Sequence, residues 1–144
     1  MLRLGQSHYD ALRHHGEETY PHECCGFLLG RTDPDGTRIV TSIARATNTR
    51  TDSPQNRYNI DGKEVVRIQR EAREREEEII GFYHSHPDHP AKWSATDLAD
   101  AHWVGNSYVI TSVEKGKAVL TNSFELTGTD EDDKKLIDEK IEVV

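Results

Sequence analysis

Residues 78–97 constrain this chain more than any other stretch. Ile79, Ile80, Gly81, Phe82 and Tyr83 make an apolar run of strand length that passes directly into His84-Ser85-His86-Pro87. A short loop with Pro87 and Pro90 at its edges follows, and then Ser94-Ala95-Thr96-Asp97. The apolar run reads as a buried strand. On a strand, residues i and i+2 project from the same face, so His84 and His86 aim two imidazoles at one point. The loop turns the chain back, and Ser94 opens a short helix reaching to about Trp103, with Asp97 in its first turn. Two imidazoles and one carboxylate are a usual three-ligand set for catalytic zinc, with the fourth position left for water. Ser94-x-x-Asp97 is also a capping box, and Ser7-x-x-Asp10 has the same form. The two roles coexist, because a capping serine can still present its hydroxyl to a site.

The rest of the chain reads as a mixed α/β arrangement. Residues 2–4 are expected as a short edge strand, followed by a helix that Ser7 caps. That helix carries Tyr9, Leu12 and Thr19 near one face and stops at Tyr20-Pro21. Residues 24–30 form an apolar strand. Asp33-Pro34-Asp35-Gly36 is a turn, and residues 37–46 pair back as a hairpin. Residues 47–57 are polar and read as a surface loop. Asp61 caps a second helix running to about Glu77, with Val65, Ile68 and Ala72 inward. Residues 107–113 and 117–126 are further strands, and residues 130–140 are expected as a short C-terminal helix. The order lacks the regular alternation of a Rossmann fold.

At 144 residues, the chain is read as one domain, residues 1–144, with 130–144 as a loosely packed acidic tail. Charged residues make up 31% and the formal net charge is −8, which argues against nucleic-acid binding and against docking on an anionic membrane. The first residues lack the apolar run of a signal peptide, and no stretch is long and apolar enough to span a bilayer. A cytoplasmic protein is expected, as a monomer or dimer. Cys24 and Cys25 are adjacent, which disfavours a disulfide between them, and they are read as small strand residues. His8, His14, His15 and His22 are read as surface histidines, and Trp93, just before Ser94, as a packing residue, with shaping of a substrate cleft as the alternative.

The spacing His84-Ser85-His86, seven residues, Ser94, two residues, Asp97 resembles the JAMM motif of the MPN-type metallopeptidases. Glu23-Cys24-Cys25-Gly26-Phe27-Leu28-Leu29-Gly30 resembles the family's upstream segment, with Glu23 in the place of its glutamate. The resemblance runs from about residue 2 to 126 and is nearest to the small stand-alone prokaryotic members. It implies a mixed sheet flanked by helices, of cytidine-deaminase type. It implies one Zn2+ per chain held by His84, His86 and Asp97. It implies that Glu23 shuttles the proton and that Ser94 stabilises the oxyanion. It also implies hydrolysis of a peptide or isopeptide bond, after the Gly-Gly tail of a ubiquitin-like or sulfur-carrier protein.

Two other readings fit part of the sequence. His84-Ser85-His86-Pro87-Asp88-His89 also resembles the His-x-His-x-Asp-His signature of the metallo-β-lactamases, which predicts two metals, but only His102 follows His89 as a further histidine. A non-catalytic scaffold that retains a zinc site is the other, and the complete set of five residues argues against it.

Overall fold

A computed structural model describes residues 1–49 and 58–144. The expected loop at 47–57 therefore lies mostly outside the described residues. In chain order the elements are β1 (Leu2–Leu4), α1 (Gln6–Thr19), β2 (Cys25–Thr32), β3 (Arg38–Ala46), α2 (Gly62–Glu74) and β4 (Glu78–Pro87). They continue with α3 (Ala95–Asp100), β5 (Ser107–Glu114), β6 (Lys117–Thr127), β7 (Lys135–Glu139) and β8 (Ile141–Val143).

The strands form one mixed sheet of order β7-β6-β5-β4-β2-β3-β1-β8. β4 sits near its middle, antiparallel to β2 and parallel to β5. Both faces are covered, which explains why β4 is apolar without alternation. On one face α1 packs Leu12 against Leu2, Leu4, Leu28, Ile80 and Tyr83. On the other, Ile68 and Ala72 of α2 meet Phe27, Leu29, Ile79 and Phe82, with Leu98 of α3 against the same cluster. A bulge between Leu28 and Leu29 lets both Ile79 and Phe82 face α2 despite their odd spacing. Each such side chain, taken fully out of water, contributes about 1.5–3 kcal/mol.

Local signals explain several elements. Asp61 caps α2 by accepting from the Lys63 amide at 2.9 Å. The helix ends at Glu74, earlier than expected, because the Glu77 amide turns back to the Ala72 carbonyl and Glu76 takes a positive φ of 59°. The Asp33 turn closes through the Gly36 amide at 2.9 Å, and Gly36 takes φ of +90°, which glycine adopts without steric cost.

Four expectations are corrected. Gly5, not Ser7, is the N-cap of α1, and Asp10 accepts from the Gln6 side chain instead of completing a box. β1 is not an edge strand, because β8 pairs with it on its outer side. Residues 130–140 are not a helix, and the C-terminal segment is not a loose tail: it forms a turn, then β7 and β8. Finally, His15 is buried rather than on the surface, with its Nδ1 2.8 Å from the Tyr83 hydroxyl. Burial lowers its pKa to about 4.

The C-terminal strands close the architecture. β7 and β8 lie at opposite edges of the sheet, yet only Lys140 separates them, so the sheet curls until its edges meet. The Lys140 carbonyl accepts from the Leu2 amide at 2.9 Å. Inside the closure, Arg38 donates to the Ser107 hydroxyl and the Gly105 carbonyl, and to Glu125 and Glu139 at 2.5 Å each. Glu139 also accepts from the Ser107 and Ser123 hydroxyls. No helix among the described residues is long and apolar enough to cross a membrane.

Candidate active site

The C-terminal half of β4 carries His84 and His86 on the face toward α3. Their Nε2 atoms lie 3.1 Å apart. His84 is 2% exposed. Asp97, in the first turn of α3, places Oδ1 3.2 Å from the Nε2 of His84 and Oδ2 3.2 Å from that of His86. The antiparallel register pairs Cys25 of β2 with His84, so the residue two places earlier, Glu23, falls beside His86. Metal-binding atoms of Glu23, His84 and His86 all lie within 4.8 Å of one another. The four residues singled out as ligands and proton carrier thus meet at one point. Glu23 approaches as closely as a ligand would, although the family pattern makes it the base.

Ser94 caps α3 through a reciprocal pair. Its Oγ accepts from the Asp97 amide at 3.1 Å, and Asp97 Oδ2 accepts from the Ser94 amide at 2.9 Å. The cap therefore orients the same carboxylate oxygen that faces His86. The Ser94 hydroxyl proton is left available to donate elsewhere.

The protonation pattern tests whether a cation fits. His86 Nδ1 lies 2.9 Å from the Pro90 carbonyl oxygen, which can only accept, so Nδ1 carries a proton. In a neutral ring the Nε2 lone pair then points at Asp97 Oδ2, itself an acceptor. Two acceptors face one another, and either an added proton or a metal ion resolves the clash. Two neutral imidazoles with one carboxylate suit zinc. Burial lowers the His84 pKa, against the pull of Asp97. For His86, burial acts the same way, but the hydrogen bonds to Asp97 and Pro90 outweigh it and raise the pKa. Burial favours protonated Asp97, yet the two histidines overcome it and hold the carboxyl well below the usual range. Burial raises Glu23 to about 8, with His86 lowering it and the charge of Asp97 raising it. Two carboxyls within one site are thereby driven apart, which favours an ionised Asp97 and a Glu23 able to carry a proton.

Other features were not legible beforehand. The Tyr58 ring stacks on His84 with centroids 4.5 Å apart, and no residue spacing signals that contact. Beside it lies a cavity of about 170 Å³, walled by Tyr58, Phe82, Trp103 and Tyr108. Trp93 is 38% exposed, so it packs only in part. Cys24 and Cys25 are free and buried, and burial pushes both thiols up, Cys24 to about 11. Such thiols are inert as nucleophiles. The His-x-His-x-Asp-His reading does not assemble: Asp88 is turned to the Tyr20 hydroxyl and the Lys115 amide, and His89 is exposed. His102 is exposed too, and pairs with Glu131.

A family model described as prokaryotic homologs of the JAB domain matches residues 5–127, and the chain belongs to that family. Among curated proteins it is 34% identical over 115 residues to the desampylase of Haloferax volcanii, covering 77% of this chain and 80% of the relative. Among solved structures, a Desulfitobacterium hafniense protein superposes with a TM-score of 0.83 at 30% identity, covering 100% of this chain and 93% of the other. A Salinibacter ruber protein gives 0.74 at 37% identity, with 96% and 89% covered. A JAB1/MPN domain protein from Archaeoglobus fulgidus gives 0.62 at 13% identity, with 99% and 98% covered, a likeness of fold alone.

Proposed function

We propose that this chain is a zinc-dependent hydrolase that cleaves a peptide or isopeptide bond after the Gly-Gly tail of a ubiquitin-like or sulfur-carrier protein. The observation that carries the reading is the meeting of His84, His86 and Asp97 at 3.1–3.2 Å, with Glu23 beside them in a buried setting. The likeness to a desampylase supports the hydrolase class and a protein substrate.

His84, His86 and Asp97 would hold the ion. Zinc in that place supplies Lewis acidity toward the scissile carbonyl and toward water. Glu23 takes a proton from the water whose oxygen attacks the scissile carbonyl carbon, and returns it to the leaving amine nitrogen as the C–N bond breaks. A group that must both accept and donate near neutrality works best with a pKa near the ambient pH, and burial moves Glu23 in that direction. The Ser94 hydroxyl donates to the oxygen on which negative charge develops. The Pro90 carbonyl and the Ser94 amide keep His86 and Asp97 oriented.

The test is hydrolysis of a Gly-Gly-terminated carrier conjugated to an amine, followed by mass spectrometry with zinc-loaded protein. Release of the free Gly-Gly carboxylate supports the reading. An intact conjugate, with zinc bound at full stoichiometry, rejects it.

A further inference from the structure

α3 carries Asp97 and Ser94, yet it spans only Ala95–Asp100 and none of its residues is fully buried. A helix this short does not stand by itself in water. Its first turn is tied by the capping box. Its last carbonyls, which an α-helix leaves without partners, need hydrogen-bond donors from elsewhere.

The donor comes from the C-terminal segment. The Lys134 ammonium donates to the Ala101 carbonyl at 2.8 Å and the Ala99 carbonyl at 3.1 Å, and it pairs with Glu131 at 2.7 Å. Three acceptors match its three protons. The side chain is 7% exposed. A cation at a helix C-terminus is also favoured by the helix dipole. The turn presenting it is tightly built. Asp133 Oδ1 accepts from the Thr129 and Asp130 amides, and Asp130 Oδ1 accepts from the Asp132 and Asp133 amides. Gly128 takes φ of +122°, and a Cβ there would lie 2.7 Å from the Lys134 Cα. β7 then anchors the segment through Leu136, in the same cluster that Leu98 packs against. The segment that presents Lys134 lies beyond residue 127, where the family match ends.

We infer that Lys134 is a positioning residue: by clamping the C-terminal end of α3 it holds Asp97 and Ser94 in register with His84 and His86. The link to metal binding rests on the zinc reading above. Removing the ammonium leaves the capping box as the main restraint on α3, so the Asp97 carboxylate samples orientations in which it no longer faces both imidazoles. Changes to groups that orient metal ligands typically weaken metal affinity about 10–100-fold, and an effect of about tenfold is expected here.

The experiment compares wild type with Lys134→Met, which keeps the aliphatic stem, and with Val40→Ala, which opens the core on β3 away from α3. Amide hydrogen exchange is measured first on metal-free protein. The Leu98 and Ala101 amides, bonded within α3, should exchange at least about tenfold faster in Lys134→Met and unchanged in Val40→Ala. Zinc affinity, by chelator competition, should fall about tenfold in Lys134→Met only. Unchanged exchange in α3 overturns the inference, and so does faster exchange with unaltered zinc affinity. So does an equal zinc loss in Val40→Ala, which would mark a general loosening. Absence of zinc binding in wild type would instead reject the zinc reading, and exchange alone would then decide whether Lys134 clamps α3.

Discussion

The Pro90 carbonyl oxygen lies 2.9 Å from His86 Nδ1, and this contact settles which nitrogen of that ring faces Asp97 with a lone pair. His86→Asn keeps an N–H near the position of Nδ1 but deletes Nε2. Zinc bound by wild type should be lost in this variant, with the circular dichroism spectrum unchanged. Full zinc occupancy in His86→Asn, read by elemental analysis, would remove His86 from the ligand set.

Glu23→Gln separates proton transfer from metal binding. A positioned acid–base group contributes about 10²–10⁴-fold to rate, so kcat should fall by that order while zinc stays bound. The same variant has a pH signature in metal-free protein. Glu23 titrates from an ordinary value of 4.5 when unfolded and about 8 when folded, chiefly through burial. The folded state therefore holds the extra proton, and the stability linked to Glu23 is full below pH 4.5 and lost as pH rises through 8. Glu23→Gln abolishes that loss, so urea midpoints should show the variant gaining on wild type between about pH 5 and pH 8.5. Parallel pH curves for the two proteins would contradict the buried, protonated carboxyl.

Substitutions can divide the cap that Ser94 forms from the oxyanion role proposed for its hydroxyl. Ser94→Ala removes the cap and the hydroxyl, and should cost about 1 kcal/mol of stability. It should also lower kcat by about 10²–10³-fold if the hydroxyl serves the oxyanion. Ser94→Asn retains a good cap, so its thermal midpoint should return close to wild type while kcat stays low. A Ser94→Asn protein with wild-type kcat would show that the residue is a cap only.

Arg38 is the hub of the sheet closure. Arg38→Met leaves Glu139, whose side chain is 4% exposed, without its main cationic partner. Breaking a buried pair from one side costs about 3–5 kcal/mol. Urea denaturation should register that loss. A cost below about 1 kcal/mol, the range of exposed pairs, would mean that the network is solvated in solution.

Much of the site was readable from local chemistry. His84 and His86 share a strand face by the period of two, and Asp97 follows in the first turn of the next helix. The Asp33 turn, the Asp61 cap and the inward face of α2 are also local, set by residues a few positions apart. Glu23 is different. Its place depends on the antiparallel register of β2 against β4, and only the family resemblance pointed to it.

The amino-acid sequence by itself determined the mixed class of fold, the order of most elements and the grouping of His84, His86 and Asp97, because each rests on contacts within one element or across one short loop. Only the tertiary structure decided the C-terminal segment, where polar residues at 130–140 resemble a helix until β6 and β1 offer open edges on either side. It decided that His15 is buried, because Tyr83 supplies a partner from another element. It also brought Tyr58 and Lys134 around the site. A stacked ring and a helix-end ammonium act through distance alone, and distance between residues far apart in the chain exists only once the sheet has formed.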